Sequence, residues 1–147
     1  ARAARLSERI YEFSEFIVNV LGVTDVGATF RDKVTYHKSC HVTRLMGIKE
    51  PPLKLLENIN GIEFLPMNRA EACCGFGGTF TVKQPEISAV MTKEKAMNIY
   101  NSGANVVAGL DQACLMNIEG MLDRLYKTGE IDRRIKVMHL AELLNCR

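Results

Sequence analysis

Strand-like and helix-like stretches alternate along most of this chain, and that alternation limits the fold more than any other feature of the sequence. Short apolar runs typical of buried strands occur at residues 33–37, 62–66, 105–110 and 136–140. Between them, apolar residues recur at the three- and four-residue spacing of a helix. Strands joined by helical crossovers pair in parallel and are covered on both faces. The sequence therefore predicts an α/β fold with about four parallel strands flanked by helices.

A further helix is predicted before this pattern begins. Residues 5–21 carry apolar side chains at helical spacing, and Gly22 stands where such a helix would end. We therefore divide the chain into an N-terminal helix with its connector, residues 1–30, and an α/β domain, residues 31–147. The chain starts without methionine and enters the helical pattern almost at once, so we expect it to be a fragment of a longer protein.

Charge and hydropathy argue against two classes of partner. The 19 basic and 17 acidic residues are dispersed, with no basic run that would neutralise nucleic-acid phosphates. No apolar stretch reaches the ~18 residues of a membrane span, and the first residues do not follow the order of a signal peptide. We expect a cytoplasmic protein that binds no nucleic acid and has no direct membrane span. In that reducing compartment, its five cysteines favour metal or redox chemistry over disulfides.

Four of the five cysteines follow predicted strands. Cys40 comes after the first strand, Cys73 and Cys74 after the second, and Cys114 after the third. The carboxyl ends of parallel strands share one edge of the sheet, where α/β proteins generally build their sites. The four thiols are therefore predicted to converge, whereas Cys146 lies outside the pattern near the C-terminus.

Four converging thiolates suit either an iron–sulfur cluster or a tetrahedral zinc ion. Adjacent cysteines can face one centre only if the backbone beside them turns sharply, and Gly75, Gly77 and Gly78 permit such a turn. The same glycines could bring backbone N–H groups close to the sulfurs, which would tune a cluster's reduction potential. The alternatives are buried structural thiols or a disulfide between Cys73 and Cys74.

Three histidines lie near the predicted edge. His37 and His41 flank Cys40, and His139 ends the fourth strand. Each is a candidate nitrogen ligand or hydrogen-bond partner of the centre. His41 is favoured as the hydrogen-bond partner because it adjoins a candidate ligand.

Three motifs together resemble a known family. "HKSCH", "CCGFGGTFTVK" and "DQACLMN" resemble the cysteine-rich CCG domain, most closely as it occurs in the iron–sulfur subunits of lactate utilisation and glycolate oxidase and in heterodisulfide reductase. The resemblance covers roughly residues 31–144. It implies that Cys40, Cys73, Cys74 and Cys114 are cluster ligands. It also implies a protein built from two copies of the domain, of which this chain would be the C-terminal half.

One position departs from the family pattern. The fuller motif ends in Cys-x-x-Cys, whereas this chain reads "CLMN" and has Asn117 in the last place. That substitution puts in doubt a five-cysteine, non-cubane cluster of the heterodisulfide reductase type. Four ligands remain, which suits one [4Fe-4S] cluster or one zinc ion.

By this resemblance, the chain is expected to be an electron-transfer domain in a complex that oxidises a 2-hydroxy acid such as lactate or glycolate. No segment looks able to bind a flavin or nicotinamide, so the substrate would be oxidised in another subunit. The expected partners are the other subunits of that complex and the missing N-terminal repeat. They would hold the protein in the cytoplasm or at the inner face of the membrane. A zinc-binding assembly module and a metal-centred thiol/disulfide oxidoreductase remain as alternatives.

Overall fold

Four parallel strands form the centre of the fold in the computed structural model, which describes residues 2–147. The strands are β1 (Lys33–Tyr36), β2 (Glu63–Phe64), β3 (Val106–Gly109) and β4 (Lys136–His139). Their order across the sheet is β2-β1-β3-β4, and every neighbouring pair is parallel. The predicted α/β class and the number of strands are confirmed.

Apolar residues on neighbouring strands pair with one another across the sheet. Val34 of β1 pairs with Phe64 on one side and with Val106 on the other, and Ala108 of β3 pairs with Met138 of β4. All of β3 is buried, as expected for a strand covered on both faces. Strand β2 is a short, exposed edge strand, which accounts for its being shorter than the predicted run at 62–66.

Helices cover both faces of the sheet. Seven α-helical segments are present in residues 2–147: α1 (Arg2–Ser7), α2 (Phe13–Glu15), α3 (Pro51–Glu57), α4 (Thr79–Lys83), α5 (Pro85–Asn101), α6 (Gln112–Lys127) and α7 (Leu140–Leu144). Two π-helical turns occupy Phe16–Val20 and His41–Leu45. Across this described part of the chain, no helix combines the length and the apolar character that crossing a bilayer would require.

Each face of the sheet has its own apolar core. On one face, Val34 and Val106 pack with residues of α3 and α7. On the other, Val107 packs with residues of α5 and α6. The predicted apolar face of α6 is confirmed, because its buried positions include Leu115, Ile118, Leu122 and Leu125. Cys74 and Cys114 belong to this second core, so the cysteine site lies on the α5 and α6 side of the sheet.

The N-terminal helix predicted over residues 5–21 is divided into shorter pieces. Helix α1 ends at Ser7, and α2 begins only at Phe13. The Glu12 carboxylate accepts hydrogen bonds from the N–H groups of Ser14 and Glu15, and such a cap starts a new helix. Apolar periodicity was a misleading guide in the first part of this segment, since Leu6 and Ile10 are 61% and 65% exposed, whereas Ile17 and Val18 pack against a core cluster.

The segments beside the cysteines are largely helical. Helix α6 starts at Gln112, three residues before Leu115, because the Asp111 carboxylate caps it by accepting from the N–H of Cys114 at 3.1 Å. The π-helical turn at His41–Leu45 directly follows Cys40, and α4 directly follows Gly78. Cys114 therefore lies in the first turn of a helix and not in a loop.

Candidate metal centre

The structure brings cysteines from three segments to the carboxyl edge of the sheet. Cys40 directly precedes the π-helical turn after β1, Cys73 and Cys74 lie in the loop after β2, and Cys114 lies in α6 after β3. The Sγ atoms of Cys74 and Cys114 are 2.9 Å apart. That separation exceeds the ~2.0 Å of a disulfide bond, and all five cysteines are free.

The two buried cysteines share a hydrogen bond. That bond lowers the pKa of Cys74 to about 4, with further contributions from His37 and the backbone N–H of Phe76, while burial opposes the shift. The same bond and burial raise the pKa of the Cys114 thiol. These opposite shifts favour one thiolate beside one thiol, and a metal ion would bind both sulfurs as thiolates.

The other two cysteines are partly exposed and lie beside this pair. Burial raises the pKa of Cys73 against the opposing effect of the Gly75 N–H, whose nitrogen lies 3.4 Å from the Cys73 sulfur. The charges of Cys74 and Cys40 raise it further. Among the described residues, the candidate ligand atoms that all lie within 4.8 Å of one another belong to His37, Cys74 and Cys114. That Cys40 and Cys73 complete a four-cysteine centre stays a prediction.

His37 lies inside the site. Its side chain is only 1% exposed, and its candidate ligand atom lies within 4.8 Å of the sulfurs of both Cys74 and Cys114. Neither ring nitrogen has a hydrogen-bond partner among the described residues. A buried imidazole without a partner is costly, and binding a metal or donating to a metal-bound sulfur would remove that cost.

The other two histidines have different surroundings. The exposed His41 ring has its Nδ1 atom 3.4 Å from Oδ2 of Asp111, the residue that caps α6. His139 uses both ring nitrogens on backbone groups, with Nε2 3.1 Å from the Leu110 oxygen and Nδ1 accepting from the Ala141 N–H. His41 therefore contacts the residue that caps the helix carrying Cys114, and His139 caps α7.

The glycine loop, residues 75–78, turns sharply against α5. Gly75 has a φ of +85°, and a Cβ atom there would lie 2.6 Å from Oγ1 of Thr92 and 2.7 Å from the carbonyl oxygen of Ser88. The Ser88 hydroxyl donates to the Gly75 oxygen at 2.8 Å. Gly77 and Gly78 continue the loop into α4 without a backbone hydrogen bond to any sulfur of the described residues. Among the described residues, the Gly75 N–H is the backbone group that donates to a sulfur, that of Cys73.

Asn117 makes a contact that the sequence did not reveal. Its Nδ2 atom donates to the carbonyl oxygen of Cys74 at 3.0 Å and to Oγ1 of Thr92 at 2.9 Å. The residue that replaces the last cysteine of the fuller motif thus ties the cysteine loop to α5. Its amide could not be assigned this role before the loop's distance from α5 was known.

Lys95 is the second residue of the site that sequence reasoning missed. It is 1% exposed, and its Nζ atom donates to the carbonyl oxygens of Arg69 at 2.8 Å and Ala70 at 3.1 Å, just before the cysteine pair. Burial lowers its pKa to about 8, against the opposing effect of the cysteine charges. Helical spacing was an available signal, because Lys95 falls on the same buried face as Thr92 and Ile99.

The donor set fits a metal that prefers soft ligands. Cysteine thiolates with at most one imidazole favour zinc or iron–sulfur centres, whereas carboxylate and carbonyl oxygens favour magnesium and calcium. The partnerless nitrogens of His37 and the close pair of Cys74 and Cys114 sulfurs are both features that such a centre would satisfy.

Comparison with known proteins agrees with this arrangement. The family model described as a cysteine-rich domain, CCG, matches residues 34–119, a range that contains all four cysteines predicted as ligands. The chain is similar to proteins named lactate utilization protein A: 51% identical over 146 residues in Bacillus pumilus, and 52% identical over 144 residues in an Exiguobacterium species. These matches cover 99% and 98% of this chain but only 59% and 56% of the relatives. The chain thus spans about three fifths of the length of the curated relatives it matches.

Proposed function

This chain belongs to the CCG family of cysteine-rich domains, and from that premise we propose that it binds one [4Fe-4S] cluster and transfers electrons during lactate oxidation. Cys40, Cys73, Cys74 and Cys114 would hold the cluster, since four cysteines are its usual complement. When bound, the cluster supplies one-electron transfer at a potential set by its surroundings.

The observation that carries this proposal is the close approach of two buried sulfurs from separate segments of the chain. Cys74 and Cys114 approach within 2.9 Å, and Cys73 is coupled electrostatically to Cys74 and Cys40. Burial of Cys74 and Cys114 keeps water from the inner side. The partial exposure of Cys40 and Cys73 leaves an outer side through which electrons could pass to a partner.

The relatives named for lactate utilization support lactate as the substrate of the complex. We propose that oxidation of the hydroxy acid takes place in another subunit and that this domain only carries the electrons. Its partners would be the remaining two fifths of the longer protein, including a second copy of the domain, and the other subunits of the complex. The proposed location is the cytoplasm or, through those partners, the inner face of the membrane.

A zinc-binding assembly module is the second candidate, and His37 favours it. Its partnerless nitrogens lie beside Cys74 and Cys114, and zinc accepts mixed cysteine and histidine ligands in closed structural sites. Such a centre would be redox-inactive and would serve to stabilise the domain for contact with other subunits.

The experiment that separates the two candidates is a metal analysis under anaerobic conditions. We expect the purified protein to contain iron and acid-labile sulfide in equal amounts. We also expect its visible absorption to bleach, and a paramagnetic signal to appear, on reduction with dithionite. Stoichiometric zinc without iron, with no spectral change on reduction, would overturn the electron-transfer proposal and support the zinc-binding one.

A further inference from the structure

We infer that Lys95 is the fixed counter-charge of the metal–thiolate centre and that it raises the centre's reduction potential. This inference rests on the proposed function, because it takes the occupant to be an iron–sulfur cluster. Lys95 would act as a positioning residue: it touches the loop that presents the cysteines and is not itself a ligand.

Lys95 is unusually buried for a lysine. Lysine is almost never fully buried without a partner, because removing its charge from water is costly. Lys95 is 1% exposed and yet takes part in none of the ion pairs formed by the described residues. Other lysines of the chain pair with carboxylates, and one of them, Lys93, lies two positions away on the same helix and pairs with Glu130.

The ammonium group of Lys95 points toward the segment that precedes Cys73. Its two hydrogen bonds go to the carbonyl oxygens of Arg69 and Ala70. Those residues precede Cys73 by four and three positions. Arg69 has a φ of +51°, the only positive value at a non-glycine residue in the described chain. An L residue adopts that conformation at a cost, and the hydrogen bond from Lys95 helps to hold it there.

The negative charge that balances Lys95 can be inferred from the groups around it. Burial lowers the pKa of Lys95; the charges of Cys74, Cys73 and Cys114 oppose that shift, and the charge of Arg69 adds to it. No carboxylate is needed if the metal–thiolate centre itself is the partner. Four thiolates around a [4Fe-4S] core leave a net negative charge, and a buried cation beside it offsets the cost of burying that charge.

The consequence concerns the redox step. A bound cluster would accept one electron from the hydroxy-acid-oxidising subunit, or from dithionite in a test, while Lys95 would keep its proton and form or break no bond. The reduced centre carries one more negative charge than the oxidised one. A positive charge held nearby therefore stabilises the reduced form more and raises the potential.

The test compares Lys95→Met with Lys93→Gln, a matched control that removes a positive charge from the exposed face of the same helix. Both proteins and the wild type are purified anaerobically, and their potentials are measured by dithionite titration followed in visible absorption. We expect Lys95→Met to titrate at a clearly more negative potential and Lys93→Gln to match the wild type. Equal potentials in all three would overturn the inference.

A charge-preserving variant covers the case in which Lys95→Met does not load a cluster. Lys95→Arg is then compared with it by iron and sulfide content, with circular dichroism to monitor the fold. Loading in Lys95→Arg but not in Lys95→Met supports the counter-charge. Failure of both variants to load while both remain folded overturns it, because charge is then not what the site requires.

The wild-type protein separates this inference from the proposed function. Zinc without iron in the wild type would defeat the electron-transfer proposal on its own. The role of Lys95 would then be tested by measuring how much zinc each variant retains against a zinc chelator, since a counter-charge also stabilises a zinc–thiolate centre. Weaker zinc retention in Lys95→Met than in Lys93→Gln supports the counter-charge, and equal retention overturns it.

Discussion

Asn117 illustrates at the scale of one residue how this chain differs from the fuller family motif. Its amide donates to the Cys74 oxygen and to Oγ1 of Thr92, so it joins the cysteine loop to α5. A cysteine at that position would lack the two amide donors. The side chain that removes a fifth candidate ligand therefore also supports the remaining four.

We predict that Asn117→Ala lowers the free energy of unfolding of the protein by about 1–3 kcal/mol, because it leaves the buried side of the Cys74 peptide without its donor. Urea denaturation of the metal-free protein measures this change without interference from metal loss. The control is Asn101→Ala at the exposed end of α5, which should change stability by less than about 0.5 kcal/mol. Equal effects of the two substitutions would contradict a loop-anchoring role for Asn117.

The glycine loop and α6 provide a matched pair of glycines at the scale of secondary-structure elements. Gly75 turns at a φ of +85° with atoms of α5 less than 3 Å from where a Cβ would lie. Gly120 is in the exposed middle of α6, with open space around its Cβ direction. Only the first of these positions needs glycine.

We therefore expect Gly75→Ala to destabilise the fold by at least about 1 kcal/mol, through strain at positive φ and collision with Thr92 and Ser88. Gly120→Ala should stabilise it by roughly 0.5–1 kcal/mol, because alanine is the better helix former. Thermal unfolding of both variants measures the contrast. Stabilisation by Gly75→Ala would show that the loop is not held against α5.

The spacing of apolar residues allowed the strands and the long helices to be predicted, because an element that buries one or two faces carries apolar residues at regular intervals. The shared edge of parallel strands also led to the prediction that Cys40, Cys73, Cys74 and Cys114 converge, and the structure brings the sulfurs of Cys74 and Cys114 to 2.9 Å from each other. Local capping could not be read from apolar spacing: Glu12 splits the N-terminal helix and Asp111 starts α6 early.

The roles of Asn117 and Lys95 could not be predicted for a different reason. Both act on backbone carbonyls of a distant loop, at separations of 43 residues from Cys74 and 26 residues from Arg69. A carbonyl group is present at every position of the chain and leaves no signal in the sequence. Such contacts become visible only once the packing of α5 and α6 against the loop is known.

At the scale of the whole molecule, the proposed metal centre would join three segments that are otherwise far apart in the chain. Binding to the native state alone stabilises that state against unfolding. We predict that anaerobic removal of the metal lowers the melting temperature and reduces the free energy of unfolding by at least about 3 kcal/mol.

Hydrogen exchange locates that effect. Amides of residues 38–45, 70–81 and 111–117 should exchange faster in the metal-free protein, since the centre holds these segments together. Amides of α3, on the opposite face of the sheet, should change little and serve as the internal control. Uniform acceleration across the chain, or none near the cysteines, would contradict a centre shared by the three segments.

The most direct test of the account is the metal content of matched cysteine variants purified anaerobically. The wild type and Cys146→Ser should each contain about four iron and four sulfide per chain, because Cys146 lies apart and donates to the Glu142 oxygen. Cys40→Ser, Cys73→Ser, Cys74→Ser and Cys114→Ser should each lose most of that iron and sulfide. Unchanged iron in Cys74→Ser, or equal losses in Cys74→Ser and Cys146→Ser, would contradict the claim that these four cysteines hold one cluster.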